Sequence, residues 1–81
     1  MPKAIVLINT EVGAEEEVLN EVKNIENVKD AYMVYGIYDI VAEVEADSVE
    51  KLRKAISETL RKIPKVRSTI TLIVVESLTK K

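Results

Sequence analysis

The residues best supplied for chemistry lie in one stretch, Tyr35-Gly36-Ile37-Tyr38-Asp39, and in a pair of threonines, Thr69 and Thr71. A glycine lets a ligand come close to the backbone and leaves amide N–H groups for a carboxylate. Asp39 can pair with an ammonium group, and the threonine hydroxyls can donate or accept. Donors for an anion beside an acceptor for a cation are what an α-amino acid needs. A structural reading carries equal weight: Asp39 caps a turn, and the threonines are ordinary β-branched strand residues.

Catalysis is poorly supplied. The chain has no histidine and no cysteine, which removes the commonest general base at neutral pH, a thiolate nucleophile and a zinc finger. No serine, threonine or lysine sits in a nucleophile elbow or a Gly-rich loop. Glu15 to Glu17, and Glu43 with Glu45, are paired carboxylates on faces where ordinary solvated acids sit. Neither a phosphate-cradling motif nor metal-ligand spacing is present. No enzymatic activity, catalytic residue, metal or cofactor is expected. The three tyrosines, Tyr32, Tyr35 and Tyr38, cluster around one connection and make a weak platform for stacking RNA bases.

Eighty-one residues make a single domain, 1–81, small enough to gain from association. No apolar run approaches the length of a membrane span and no signal peptide precedes the first strand, so a cytoplasmic protein is expected. Net charge is −2, but it is unevenly spread: residues 1–50 hold 12 of the 14 acids, and residues 51–81 hold 9 of the 12 bases. Two solvated faces of opposite sign explain this better than a nucleic-acid surface, because the overall balance is acidic. Abundant Glu and Lys fit a thermophilic source.

The elements that must position these residues can be read in order. Ala4 to Ile8 is a continuous apolar run, expected to be a strand buried on both faces. Glu15-Glu16-Glu17 open a helix at the positive end of its macrodipole, and Val18, Leu19, Val22 and Ile25 form its apolar stripe. Strands are expected over 28–35 and 38–46, joined by a tight connection at Gly36. Asp47-Ser48-Val49-Glu50 is a variant capping box, opening a second helix with its stripe at Val49, Leu52, Ile56, Leu60 and Ile63. Pro64 ends that helix. Thr69 to Val75 is the last strand, and residues 77–81 are expected to fray.

This order, βαββαβ, predicts an α+β, ferredoxin-like fold: a four-stranded antiparallel sheet with both helices on one face. Two helices cover only one side of such a sheet. The first and last strands are apolar at consecutive positions, so the other side should expose an apolar patch and pack on a second copy.

Two segments carry a family resemblance. Residues 34–41, Val-Tyr-Gly-Ile-Tyr-Asp-Ile-Val, resemble the Gly-x-Tyr-Asp hairpin of the Lrp/AsnC feast/famine regulators. Residues 63–75, Ile-Pro-Lys-Val-Arg-Ser-Thr-Ile-Thr-Leu-Ile-Val-Val, are similar to the closing strand of that family's effector-binding domain, the domain for regulation of amino-acid metabolism. The resemblance implies a dimeric α+β sandwich or barrel, with dimers joined into larger rings and amino-acid effectors held between dimers. It also implies ligand-binding roles for Tyr35, Gly36, Ile37, Tyr38, Asp39, Thr69 and Thr71. Gly36 and its neighbours would meet the effector carboxylate, Asp39 its polar or cationic groups, and the threonines would line the pocket.

Most members carry an N-terminal helix-turn-helix domain, whereas this chain begins at the first strand. A stand-alone sensor without direct DNA or membrane binding is therefore expected, acting alone or in mixed assemblies with full-length regulators. Two alternatives remain: an assembly module without effector binding, and a small monooxygenase on the related dimeric barrel. The lack of His and Trp argues against the second.

Overall fold

The computed structural model describes residues 1–78 and 80. Its elements are β1 (Lys3–Thr10), α1 (Glu15–Lys23), β2 (Val28–Met33), β3 (Ile40–Glu45), α2 (Val49–Glu58), a 3-10 turn (Leu60–Lys62) and β4 (Val66–Ile73). The sheet order is β2-β3-β1-β4, and every neighbouring pair is antiparallel. This is the βαββαβ ferredoxin-like arrangement, α+β, with both helices against one face of the sheet.

β1 is central, and it alternates instead of being buried throughout. Ala4, Val6, Ile8 and Thr10 are buried on the helix side, while Lys3, Ile5, Leu7 and Asn9 are half-exposed on the other. β3 repeats the pattern, burying Ile40, Ala42 and Val44. Onto these positions α1 brings Val18 and Val22, and α2 with its following turn brings Leu52, Ile56 and Leu60. The helix stripes expected from the 3.6-residue period are therefore the core. Val49 departs from the expected stripe and is 43 % exposed at the first position of α2.

The second helix opens one residue later than the expected box. Ser48, not Asp47, is the cap, and its hydroxyl accepts from the Lys51 N–H at 3.1 Å. Lys51 holds the position where a glutamate would complete a capping box, and it faces Asp47 at 3.8 Å as an i,i+4 pair. Ser48→Ala should cost about 1 kcal/mol in chemical denaturation, the usual value of an N-cap. At the other end α2 stops at Glu58, and the chain continues as a 3-10 turn until Ile63 becomes extended (ψ 128°), as a residue before proline must.

Lys65 then takes φ +73°, a left-handed conformation uncommon outside glycine. Two contacts hold it: its carbonyl accepts from the Glu11 N–H at 2.9 Å, and its ammonium meets Glu17 Oε1 at 2.9 Å. The hydrogen bond and charge of Glu17 raise the Lys65 pKa above its ordinary 10.5. A raised lysine pKa contributes stability that is complete below the ordinary value and lost as pH rises through the folded one. At this exposed site the contribution is small.

Two boundaries differ from expectation. The connection after β2 is a six-residue loop, 34–39, so β2 ends at Met33 and β3 begins at Ile40. β4 starts three residues early, at Val66, and ends at Ile73, with the Val74 N–H still donating to the Lys3 carbonyl at 2.9 Å. Beyond it, residues 74–78 and 80 form no helix or strand; residues 79 and 81 of the expected frayed tail lie outside the described residues. No helix among the described residues is long and apolar enough to cross a membrane.

Candidate functional site

The loop between β2 and β3 carries Tyr35, Gly36 and Ile37 outward. Tyr35 is 107 % and Ile37 87 % exposed, while Tyr38 and Asp39 at its exit are half-buried. Gly36 has φ +156°, at the margin of extended backbone, and a Cβ there would meet nothing within 4 Å. The loop is closed at its base by the Val34 N–H donating to the Asp39 carbonyl at 2.9 Å.

Asp39 ties this loop to the end of β1. Its N–H donates to the Ile8 carbonyl at 3.0 Å, and its Oδ2 accepts from the Thr10 N–H at 2.9 Å. The Thr10 hydroxyl donates to the Glu11 carbonyl at 3.1 Å and lies 3.4 Å from the same Oδ2. The carboxylate therefore satisfies a backbone donor where β1 leaves the sheet, and so has the structural role that a turn-capping aspartate would have. It also lines an open groove of about 440 Å³ with Asn9, Thr10, Val12, Arg67 and Ser68. A cationic fork, a carboxylate, an amide and a hydroxyl thus share one depression.

Thr69 and Thr71 are elsewhere. They pair with Ile8 and Val6 of β1 and share the helix-side face of β4. Thr71 lines a groove of about 530 Å³ between α2 and β4, and the Thr69 hydroxyl accepts from Arg61 Nε at 3.2 Å. Within one chain, then, the predicted site falls into three parts: the exposed loop tip, Asp39 in the groove at the sheet end, and the two threonines beside α2. β1 runs between Asp39 and the threonines.

Reasoning from the sequence missed Thr10, Asn9, Arg67 and Ser68. The period-2 alternation of β4 held part of the signal, since it puts Ser68, Ile70 and Leu72 on the face opposite Thr69 and Thr71. Thr10 as partner of Asp39 had no local signal, because 29 residues separate them. Among the described residues no group of three His, Cys, Asp or Glu side chains is placed to hold a metal ion.

The remaining feature is the sheet face away from the helices. Directly opposed residues in antiparallel strands project to the same side. The register therefore aligns Tyr32, Val41, Leu7 and Ile70 in one row across all four strands, with Ile5 and Leu72 in the next. Tyr32, Ile70 and Leu72 are 57 %, 43 % and 49 % exposed. Glu43 and Asp30 share the row of Ile5 and Leu72, and Lys3 meets Glu43 at 3.5 Å and Glu45 at 4.0 Å.

Comparison with known proteins places this architecture. The proline dehydrogenase transcriptional activator of Rhizobium radiobacter is 29 % identical over 72 residues. That alignment takes in 89 % of this chain and 46 % of the relative, so the chain spans about half the relative's length. The crystal structure of FFRP-DM1 superposes with a TM-score of 0.88 at 39 % identity, covering 93 % of this chain and 100 % of that one. The same fold, at 14 % identity and a TM-score of 0.85, recurs in the transcriptional regulator NMB0573 of Neisseria meningitidis, solved as an L-Met complex. That match covers 98 % of this chain and 53 % of the other. The family model for the Lrp/AsnC ligand binding domain matches residues 3–81, and with that coverage the chain belongs to the Lrp/AsnC ligand-binding-domain family.

Proposed function

We propose that this domain is a non-enzymatic regulatory module that binds an amino-acid effector where two dimers meet. The observation that carries the reading is the division of the site. The loop 35–38 and Asp39 lie on one side of β1, Thr69 and Thr71 on the other, and the loop tip stands free in solvent. A neighbouring dimer that sets its loop against the β4 side of this one brings both sets of polar groups to one ligand. Family membership supports a regulatory role, and the L-Met complex of the Neisseria meningitidis regulator supports an amino acid as effector.

The dimer forms first, by two open sheet faces closing over their apolar rows. Burying apolar surface stabilises by roughly 25 cal/mol per Å², and this face offers six large apolar side chains. A ligand held only between dimers binds the assembled state and not the separated one, so it draws dimers together by mass action. The matching domain of a longer regulator presents the same surfaces, so mixed assemblies are a second outlet for the module, with DNA contacted by that partner.

Sedimentation at subunit concentrations low enough to keep dimers apart tests the placement. The effector should raise the average mass above that of a dimer. An amino acid that binds by calorimetry while the mass stays dimeric at every concentration would contradict it.

A further inference from the structure

All three arginines of the chain, Arg53, Arg61 and Arg67, lie along the β4 side, and they share an unusual property. Among the described residues the five ion pairs within 4.0 Å are all made by lysines, namely Lys3, Lys51, Lys54 and Lys65. No arginine takes part, although the protein carries more acids than bases. Arg53 and Ser57, four residues apart, stack on one face of α2, and Arg61 in the 3-10 turn that follows lines the same groove between α2 and β4. That face, with Lys54 (which meets Glu58 at 4.0 Å), is one wall of the 530 Å³ groove, Thr71 is on the other, and Ile56 and Ile73 contribute apolar surface.

Arg61 is also oriented. Its Nε donates to the Thr69 hydroxyl at 3.2 Å, which leaves its two terminal nitrogens as an unused fork. A guanidinium is planar and always charged, matches a carboxylate with two parallel hydrogen bonds, and is more weakly hydrated than an ammonium. Arg53 on α2 and Arg61 on the turn that follows it both line the groove, together with the hydroxyls of Ser57 and Thr71. A volume of this size is that of a small-molecule pocket.

We infer that this groove selects an acidic effector: an α-amino acid with a second carboxylate, of the glutamate or aspartate class. One guanidinium would take the α-carboxylate and the other the side-chain carboxylate, with the aliphatic stem on Ile56 and Ile73. Ser57 and Thr71 would accept from the ammonium. The inference rests on the effector reading above and names the class of ligand. A neutral amino acid would leave one fork without a partner.

Calorimetry on the assembled protein at physiological ionic strength tests it, with L-glutamate and L-aspartate set against their isosteric amides, L-glutamine and L-asparagine. The acids should bind at least tenfold more tightly. Arg53→Gln and Arg61→Gln should each weaken glutamate binding at least tenfold, with the melting temperature of the unliganded protein retained. Amides binding as well as acids would overturn the acidic class and leave the effector reading intact. Succinate binding without any of these four amino acids would show a dicarboxylate groove that does not read the ammonium, and would overturn the acidic amino-acid class. Inorganic phosphate competing as well as glutamate would reduce the groove to an unselective basic strip, and no binding by any of these ligands would overturn the acidic class, leaving the effector reading to the other amino acids.

Discussion

Leu7→Asp is expected to turn the protein into a folded monomer. Leu7 stands in the central strand, between Val41 and Ile70 in the apolar row of the open sheet face. Its side chain is half-exposed in the single chain, so a carboxylate there stays hydrated in the monomer and leaves the helix-side core untouched. In a dimer closed over this face the same carboxylate loses its water. Burying an unpaired charge costs several kcal/mol even after relaxation. The expected result at micromolar concentration is a monomer mass by light scattering with an unchanged far-ultraviolet circular dichroism spectrum. Leu7→Asp with the parent's mass would show that this face is not the dimer contact.

Leu52→Ala should be the most destabilising single truncation of α2. Leu52 is fully buried between that helix and the sheet, and ranks among the largest side chains with no exposure. Large-to-small changes at such positions cost about 2–5 kcal/mol, because the lost contacts are joined by an unfilled cavity. In a domain whose whole stability is about 5–15 kcal/mol, that is a fall in melting temperature of roughly 10 °C or more. Val49→Ala, one turn earlier and 43 % exposed, should move it far less. Urea titrations at one fixed subunit concentration compare the two without a contribution from mass action. Equal effects from the two changes would contradict the placement of the helix.

The order of elements was legible because each apolar pattern has its own period. Val18, Val22, Leu52, Ile56 and Leu60 recur as a helix stripe must, and all five are in the core. β1 misled, since its unbroken run of apolar residues reads as a strand covered on both sides. Only one side is covered by this chain's own helices, and the other stays open. The boundaries at Met33 and Val66 were harder to read: residues 34–39 keep strand-like composition while the backbone leaves the ladder. The cap at Ser48 was ambiguous by one residue because two acceptor side chains are adjacent.

The candidate site was legible as a set of residue types and illegible as an arrangement. Nothing local says that Asp39 will spend one oxygen on the Thr10 N–H, or that β1 will run between Asp39 and Thr69. The arginines that most distinguish the α2–β4 groove were visible only as part of a basic C-terminal half. Their lack of carboxylate partners among the described residues is a property of the folded chain.

The central claim, an amino-acid-binding regulatory module, is tested most directly by thermal melts against each of the twenty amino acids at constant subunit concentration. A ligand at about a hundred times its dissociation constant stabilises by roughly 2.7 kcal/mol, a shift of roughly 10 °C or more for a domain of this size. The account predicts that one or a few amino acids produce such a shift in the parent protein, and that Asp39→Ala loses it while remaining folded. A flat response to all twenty, from protein whose mass shows an intact assembly, would contradict it and leave a module that only assembles.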